Sequence, residues 1–335
     1  MVTIKDVARL AGVSHTTVSL AIRNSSSITE ETKQKVLKAA KQLNYHPNYL
    51  ARSLANGKTN VIGIVANFFS SNFEMEILKG VEQSIRSDES RFMINLFTTL
   101  EKNDQVLTDI CMGKHADAVI LLSISPSPEV IKLYNENHCP LIVIDEIADG
   151  AIEITLDNYH GAYMATEHLI NAGRRNLAIV LGDGGEKGSV GLSQKERKDG
   201  FLQALSDHGI KFNPKNEFFI SDYYFEEGQV VFKNMQRYGS GIDGIFCAAG
   251  DMVAAGIMLE AKNQQVDIPG DLSIIGYDDS VTSALINPPL SSIRQPLFQI
   301  GKNALSRMVR LLEGKEEYKP NRLVYEPQLI SRASV

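Results

Sequence analysis

The chain opens with apolar positions at helical spacing. Ile4, Val7, Ala8 and Ala11 recur on one face, and Thr3 followed by Asp6 makes a capping-box-like start. This predicts a first helix over about residues 4–11. Gly12 supplies the permissive backbone of a tight turn, Val13 plugs between helices, and Ser14 caps a second helix with Val18, Ala21 and Ile22 on its apolar face. Helix, tight turn and helix form a helix-turn-helix pattern. Thr29 caps a third helix with Val36, Leu37, Ala40 and Leu43 inward and Lys33, Lys35, Lys38 and Lys41 outward. From Pro47 to Lys58, a proline near the start and Gly57 past the end predict a hinge helix too short to be stable alone in water.

From residue 61 the period changes. Short apolar runs at Val61–Ala66, Phe92–Phe97, Ala118–Leu122, Leu141–Asp145, Leu177–Leu181, Glu217–Ile220, Ile245–Ala248 and Leu272–Gly276 alternate with amphipathic helical stretches. Apolar strands separated by helices indicate buried parallel sheets, and the length is too great for one small sheet. The expected architecture is an α-helical helix-turn-helix head over residues 1–46, a hinge over 47–59, and an α/β core over 60–335. Two Rossmann-like parallel-sheet subdomains with a cleft between them account for the core. Ligands of such folds sit past the carboxyl ends of the strands. Those positions hold Asn67 to Phe73, Asp145, Glu146, Asp157, Asp183 to Ser193, Asp222 to Tyr224, Gly250, Asp251 and Tyr277 to Asp279, a set suited to a polar small ligand with an apolar face.

Charge sharpens this division. The first 60 residues carry nine Lys/Arg against three Asp/Glu, and the rest carries 25 against 37, so a basic head stands on an acidic body. That asymmetry suits a head that meets a polyanion, although a solvated basic face would read the same. Cys111, Cys139 and Cys247 show neither metal nor disulfide spacing, and the seven histidines form no metal pair, so no metal and no cofactor is expected. No apolar run reaches the length of a membrane span and the start does not read as a signal peptide, which predicts a cytoplasmic protein with no membrane partner. Gly182 to Gly188 matches neither phosphate-loop nor dinucleotide spacing, no Gly-x-Ser-x-Gly elbow occurs, and no residue is read as catalytic.

The run Thr3 to Ser19, the segment Leu43-Asn44-Tyr45-His46-Pro47-Asn48 and the stretch Ala51-Arg52-Ser53-Leu54 closely resemble the lactose-repressor (LacI/GalR) family. The resemblance continues through Ile62-Gly63-Ile64-Val65, Glu196 to Phe201, Gly276-Tyr277-Asp278-Asp279 and Pro288 to Pro296, and so covers nearly the whole chain. It implies a core of periplasmic-binding-protein type whose subdomains interleave, one over about 60–158 and 292–322, the other over about 159–291 and 323–335. It implies a transcription regulator, a homodimer on a pseudopalindromic double-stranded DNA operator, controlled by a small ligand in the cleft. Ser14, His15 and Thr16 would face base edges, and Thr3, Thr17, Ser19 and Asn48 would hold phosphates. In the hinge, with Ala51, Leu54 and its dimer mate would wedge into the minor groove, although ordinary helix packing is the plain alternative for a leucine. Leu20 stands where many members carry an arginine that reads guanine, so no guanine preference is expected there, and a thymine methyl is the favoured alternative.

For the cleft, the resemblance implies that Phe73 and Tyr223 stack on the effector while Ser193, Arg197 and Asp278 hydrogen-bond it. Arg197 could instead pair with Glu196 or Asp199 on a helix surface, and Asp278 could cap the next helix. The chain departs from the family at the cleft: Ala249-Gly250-Asp251 replaces the common Ala-Asn-Asp, keeping Asp251 in the effector-binding set, and Glu146 replaces an arginine. Gly191, near an arginine of purine repressors, weighs against a purine, leaving a carbohydrate-like ligand or polyol. Glu326 to Val335 lacks a leucine heptad, which predicts dimers rather than tetramers. A solute-binding protein and an enzyme with a DNA-tethering head are the competing readings.

Overall fold

In the computed structural model, the described residues are 2–22, 25, 27–45, 57–87, 92–99, 102–182, 191–238 and 241–335. They fall into two compact units, residues 1–59 and 60–335. The first holds α1 (Ile4–Ala11), α2 (His15–Ile22) and α3 (Glu30–Gln42). The Asp6 carboxylate accepts from the Thr3 N–H at 3.0 Å and from the Thr3 hydroxyl at 2.7 Å, fixing the start of α1. Gly12, at φ 64°, ends it in the left-handed conformation that a side chain disfavours. Val7, Ala11, Val18, Ala21, Val36 and Ala39 form the core of this unit. The expected inward face of α3 needs one correction. Leu37 is 40% exposed, and Ala39 takes its place beside Val36, because Val36, Ala39, Ala40 and Leu43 keep the three-and-four spacing that Leu37 breaks.

The second unit contains two sheets. The first has the order β11-β5-β4-β3-β1-β2 and is wholly parallel, from β1 (Val61–Ala66), β2 (Met93–Thr98), β3 (Ala118–Leu122), β4 (Leu141–Ile144), β5 (Ile152–Leu156) and β11 (Asn321–Tyr325). The second has the order β12-β10-β9-β8-β6-β7, from β6 (Leu177–Gly182), β7 (Glu217–Ile220), β8 (Gly244–Cys247), β9 (Ser273–Asp278), β10 (Ser291–Arg294) and β12 (Gln328–Ile330). Only its β10–β12 pairing is antiparallel. Central strands are buried along their whole length, as helices on both faces require. Side chains such as Ile62, Ile64, Ile120 and Ile142 are fully buried, each contributing about 1.5–3 kcal/mol.

The covering helices are α4 (Asn72–Ser87), α5 (Asn103–Met112), α6 (Pro128–Glu136), α7 (Asn158–Asn171), α8 (Leu192–Asp207), α9 (Phe225–Tyr238), α10 (Asp251–Asn263), α11 (Val281–Leu285) and α12 (Leu297–Leu312). The chain passes between the sheets three times: from β5 into α7, from β10 into α12, and from β11 into β12. The expected subdomain segments shift accordingly. Residues 292–294 pair with β9 and belong to the second sheet, not the first, and 323–325 pair with β5 in the first sheet, not the second. Four strands escaped the sequence reading: β5, β10, β11 and β12. The hinge expected over 47–59, and the glycine-rich stretch beyond Gly182, lie largely outside the described residues.

Two helix pairs approach through reciprocal glycines. A methyl group on Gly80 of α4 would meet the Phe298 carbonyl and one on Gly301 of α12 would meet that of Ile77; Gly228 of α9 and Gly256 of α10 face Val253 and Phe225 in the same way. For Gly256 the Cβ would lie 1.9 Å from a carbonyl oxygen, which no rotamer relieves. Gly256→Ala is therefore expected to destabilise the protein by about 1–3 kcal/mol through helix displacement, outweighing the gain in helix propensity. Urea unfolding followed by circular dichroism measures this, and an unchanged midpoint would contradict the packing argument.

Candidate functional site

The head presents the N-terminal turn of α2. The Ser14 hydroxyl accepts from the Thr17 N–H at 3.1 Å and lies 2.9 Å from the Thr17 hydroxyl, so Ser14 is the helix cap. His15 and Thr16 are exposed beside it, with Nδ1 and Oγ1 3.5 Å apart. Val18 and Ala21 pack into the core of the head, which leaves Thr17, Ser19 and Leu20 half-buried at its margin. Thr3 is exposed with its hydroxyl on Asp6. Hydroxyls, an imidazole and the free N–H groups of a helix start suit phosphate oxygens and base edges. Asn48, Ala51 and Leu54 lie outside the described residues.

In the core, charged groups gather past the carboxyl ends of β4 and β9. Asp145 follows β4 at φ 64° and Asp278 ends β9 at φ 95°. Between them lies Arg197 of α8, buried, with its guanidinium carbon 3.7 Å from the centroid of the Tyr277 ring. Its Nε donates to Asn158 Oδ1 at 2.9 Å and its Nη1 to the Ala248 carbonyl at 2.7 Å. Asn158, the first residue of α7, donates in turn to Asp145 Oδ1 at 3.2 Å. Arg197 thus pairs with neither Glu196 nor Asp199, and Asp278 does not cap α11, whose N-cap is Ser280. Ser193 hydrogen-bonds Asp145, and the Leu192 N–H donates to Glu146 at 3.5 Å. Gln295, in the passage from β10 to α12, donates its amide to Asp278.

The remaining expected contacts sit differently. Phe73, in the first turn of α4, packs partly against the core of the first sheet, and Tyr223 partly against that of the second, with its ring over Gly182. Asp251 turns inward: it is 2% exposed, accepts from the Ser280 N–H at 2.6 Å and the Ser292 hydroxyl at 2.7 Å, and braces the cleft from below. Sequence reasoning passed over Glu74, Asn158 and Gln295. Glu74 is 6% exposed and accepts from Ser71, and Asp278 repels its charge. The one sequence signal for Glu74 was an acid in the first turn of a helix, which ordinarily reads as a dipole contact.

Burial raises the carboxyls of Glu74, Asp145, Glu146 and Asp278, against the pull of Arg197 on Asp145 and Asp278. Asp251 is pushed up to about 7 by burial and then by the charge of Asp278. Among the described residues, no three His, Cys, Asp or Glu stand close enough together to hold a metal ion, and no helix is long and apolar enough to cross a membrane.

A helix-turn-helix head on a two-sheet core with a polar cleft defines a ligand-binding type of DNA-binding transcription regulator. Residues 3–48 match the model for bacterial regulatory proteins of the lacI family, and residues 166–335 match that of a periplasmic binding protein-like domain. The chain is 33% identical to HTH-type transcriptional repressor PurR of Actinobacillus pleuropneumoniae serotype 3 (strain JL03), over 100% of this chain and 98% of that one. It is 34% identical to probable HTH-type transcriptional repressor ExuR of Bacillus subtilis (strain 168), with the same coverage. Among solved structures, a complex of transcriptional regulator CelR with cellobiose aligns over all of both chains at 25% identity and a TM-score of 0.71. The lac repressor dimer bound to operator and the anti-inducer ONPF shares the fold at a TM-score of 0.81 and 22% identity, over 99% of this chain and 98% of that one. The chain belongs to the lacI family of bacterial regulatory proteins.

The buried carboxyls set a pH dependence. Each has a folded-state pKa above its unfolded value, so the folded protein holds extra protons in between and loses stability as pH rises through that window. For Asp251 the window runs from about 4 to about 7. His168, lowered by burial, opposes this as a single group. The core transition should therefore have a higher Tm at about pH 5.5 than at about pH 7.5, by the equivalent of roughly 1 kcal/mol or more. A Tm that is flat or rises over this range would contradict it.

Proposed function

We propose that this lacI-family regulator is a repressor that binds a pseudopalindromic operator as a homodimer and changes its affinity when a small polyhydroxylated ligand enters the core cleft. The observation that carries the reading is the pairing of an exposed Ser14-His15-Thr16 turn in one compact unit with a buried polar cluster built from both sheets in the other. The names of the solved relatives support it, one being a complex with cellobiose and another a dimer on operator. In this reading Ser14, His15 and Thr16 meet base edges, with the cap bond of Ser14 orienting its hydroxyl. Thr3, Thr17, Ser19 and Asn48 hold phosphates, and Ala51 and Leu54 enter the minor groove.

The cleft contacts are Ser193, Arg197 and Asp278, flanked by Phe73 and Tyr223, with Asp251 supporting them. The core binds its ligand without converting it, and the protein works in the cytoplasm. A ligand that draws the lobes together alters the geometry at the three passages between sheets, and so links cleft to head. Linkage is reciprocal: operator DNA must change ligand affinity by the same factor.

Selection from randomised DNA with the purified protein tests the reading. It should return a two-fold-symmetric site with no required guanine at the base read by Leu20. A non-symmetric or random pool would contradict the function, and a required guanine there would contradict the role of Leu20. On the selected site, Leu54→Ala should weaken binding by about tenfold or more, measured by fluorescence anisotropy.

A further inference from the structure

Charge in the cleft is out of balance. Glu74, Asp145, Glu146 and Asp278 converge there, and repulsion from Asp278 reaches both Glu74 and Asp145. Glu196, on the same helix as Arg197, adds to the negative side. Against them stand Arg197 and, at the rim beside Glu146, the exposed Lys195. Arg294 and Arg332 are committed elsewhere, both to Asp279 at 2.7 Å. Among the described residues carboxyl groups therefore outnumber cationic ones, and a cation beside them favours their ionised form.

Several donors are already committed: two of the five N–H groups of Arg197 on Asn158 and Ala248, the Asn158 amide on Asp145 and the Leu156 carbonyl, the hydroxyls of Ser71 and Ser193 on Glu74 and Asp145, and one Gln295 N–H on Asp278. Acceptors remain. Gln295 is 5% exposed, and its Oε1, beside the Asp278 carboxylate, has no hydrogen-bond partner. A buried acceptor without a partner is costly unless a ligand satisfies it. The amide cannot simply be reversed, since that would set its oxygen against the carboxylate.

We infer that the effector of this chain is an amino sugar, held through its ammonium group by the cleft carboxylates and Gln295 Oε1, and through its hydroxyls by the remaining acceptors. This rests on the reading of the cleft as the effector site. An ammonium supplies a donor for Gln295 Oε1 and a positive charge for carboxylates that Arg197 alone does not balance. A neutral sugar supplies donors and leaves the charge uncancelled. A uronic acid or sugar phosphate adds to the repulsion. Among the described residues a metal ion does not fit, because no three carboxylates stand close enough to share one. Glu146 adds a carboxylate at its position, where a cationic side chain would instead favour an acidic ligand.

Isothermal titration calorimetry on the full-length protein tests this with glucosamine, galactosamine and mannosamine. Each is compared with its neutral parent hexose, its N-acetyl derivative, the corresponding uronic acid and the 6-phosphate. N-acetylation keeps the nitrogen and removes the charge. At least one amine should bind about tenfold or more tightly than its parent and its N-acetyl form, the ratio that one opposite charge within a few ångströms confers. Glu146→Gln and Glu74→Gln should each shrink that ratio, and either one reads the same charge if the other fails to fold. Equal or tighter binding of a neutral, acetylated, acidic or phosphorylated form would overturn the inference while leaving the cleft a sugar site. Failure of every saccharide to bind would overturn the inference together with the polyol reading of the cleft, and the DNA selection would still stand as a separate measure of the head.

Discussion

Burying a guanidinium costs several kcal/mol unless its charge and its donors are met, and much of this core is arranged around meeting those of Arg197. The Tyr277 ring covers one face of the group, the Asn158 amide and the Ala248 carbonyl take two of its N–H groups, and Asp145 and Asp278 supply the opposing charge. The five partners come from four places: the end of β9, which holds both Tyr277 and Asp278, the start of α7, the residue just past β8 and the turn after β4. One side chain on α8 therefore registers both sheets to each other. The same group allows carboxylates to collect in a place where they would otherwise repel, and it is also why a ligand can compete for them.

Much of the fold was legible in the sequence because its central strands are buried on both faces. The runs at Val61–Ala66 and Ala118–Leu122 coincide with strands residue for residue, and so does the half-buried edge strand at Glu217–Ile220. The missed strands break the apolar rule for physical reasons. Glu153 interrupts β5, and its carboxylate is satisfied out of sight by the Ala148 N–H and Arg322. In β10, the buried hydroxyls of Ser291 and Ser292 are satisfied by the Arg332 backbone and by Asp251. β11 lies at a sheet edge with its side chains largely exposed, so its pattern carries little apolar signal. A lone polar residue reads as a surface position until its partner is known, and the partners here are distant in sequence.

The site was legible only where a family pattern marked it. Arg197, Ser193 and Asp278 carried that mark, yet their surroundings were invisible: Asn158 looks like an ordinary helix-start residue, and Gln295, though inside the family-like stretch Pro288 to Pro296, gave no sign that its amide meets Asp278. In the head, helix limits were read well because caps are local, whereas the burial of Leu37 was misjudged because adjacent residues on a helix differ by about 100° in direction. Local chemistry is written locally. Convergence across two sheets is not.

The interleaving of the lobes also has a consequence for synthesis. The first sheet is laid down up to β5 early, but its edge strand β11 and the helix α12 that packs on α4 come from the last part of the chain. At common elongation rates the ribosome needs roughly 10 to 30 s to cover the intervening residues. Throughout that time the nascent lobe carries an open strand edge and an uncovered apolar face made of Ile77, Val81 and their neighbours. The head, whose core closes within its first 45 residues, is finished long before. A growing chain thus holds a completed DNA-reading module tethered to a half-built sensor, and the sensor becomes whole only after α12 and β11 have been made.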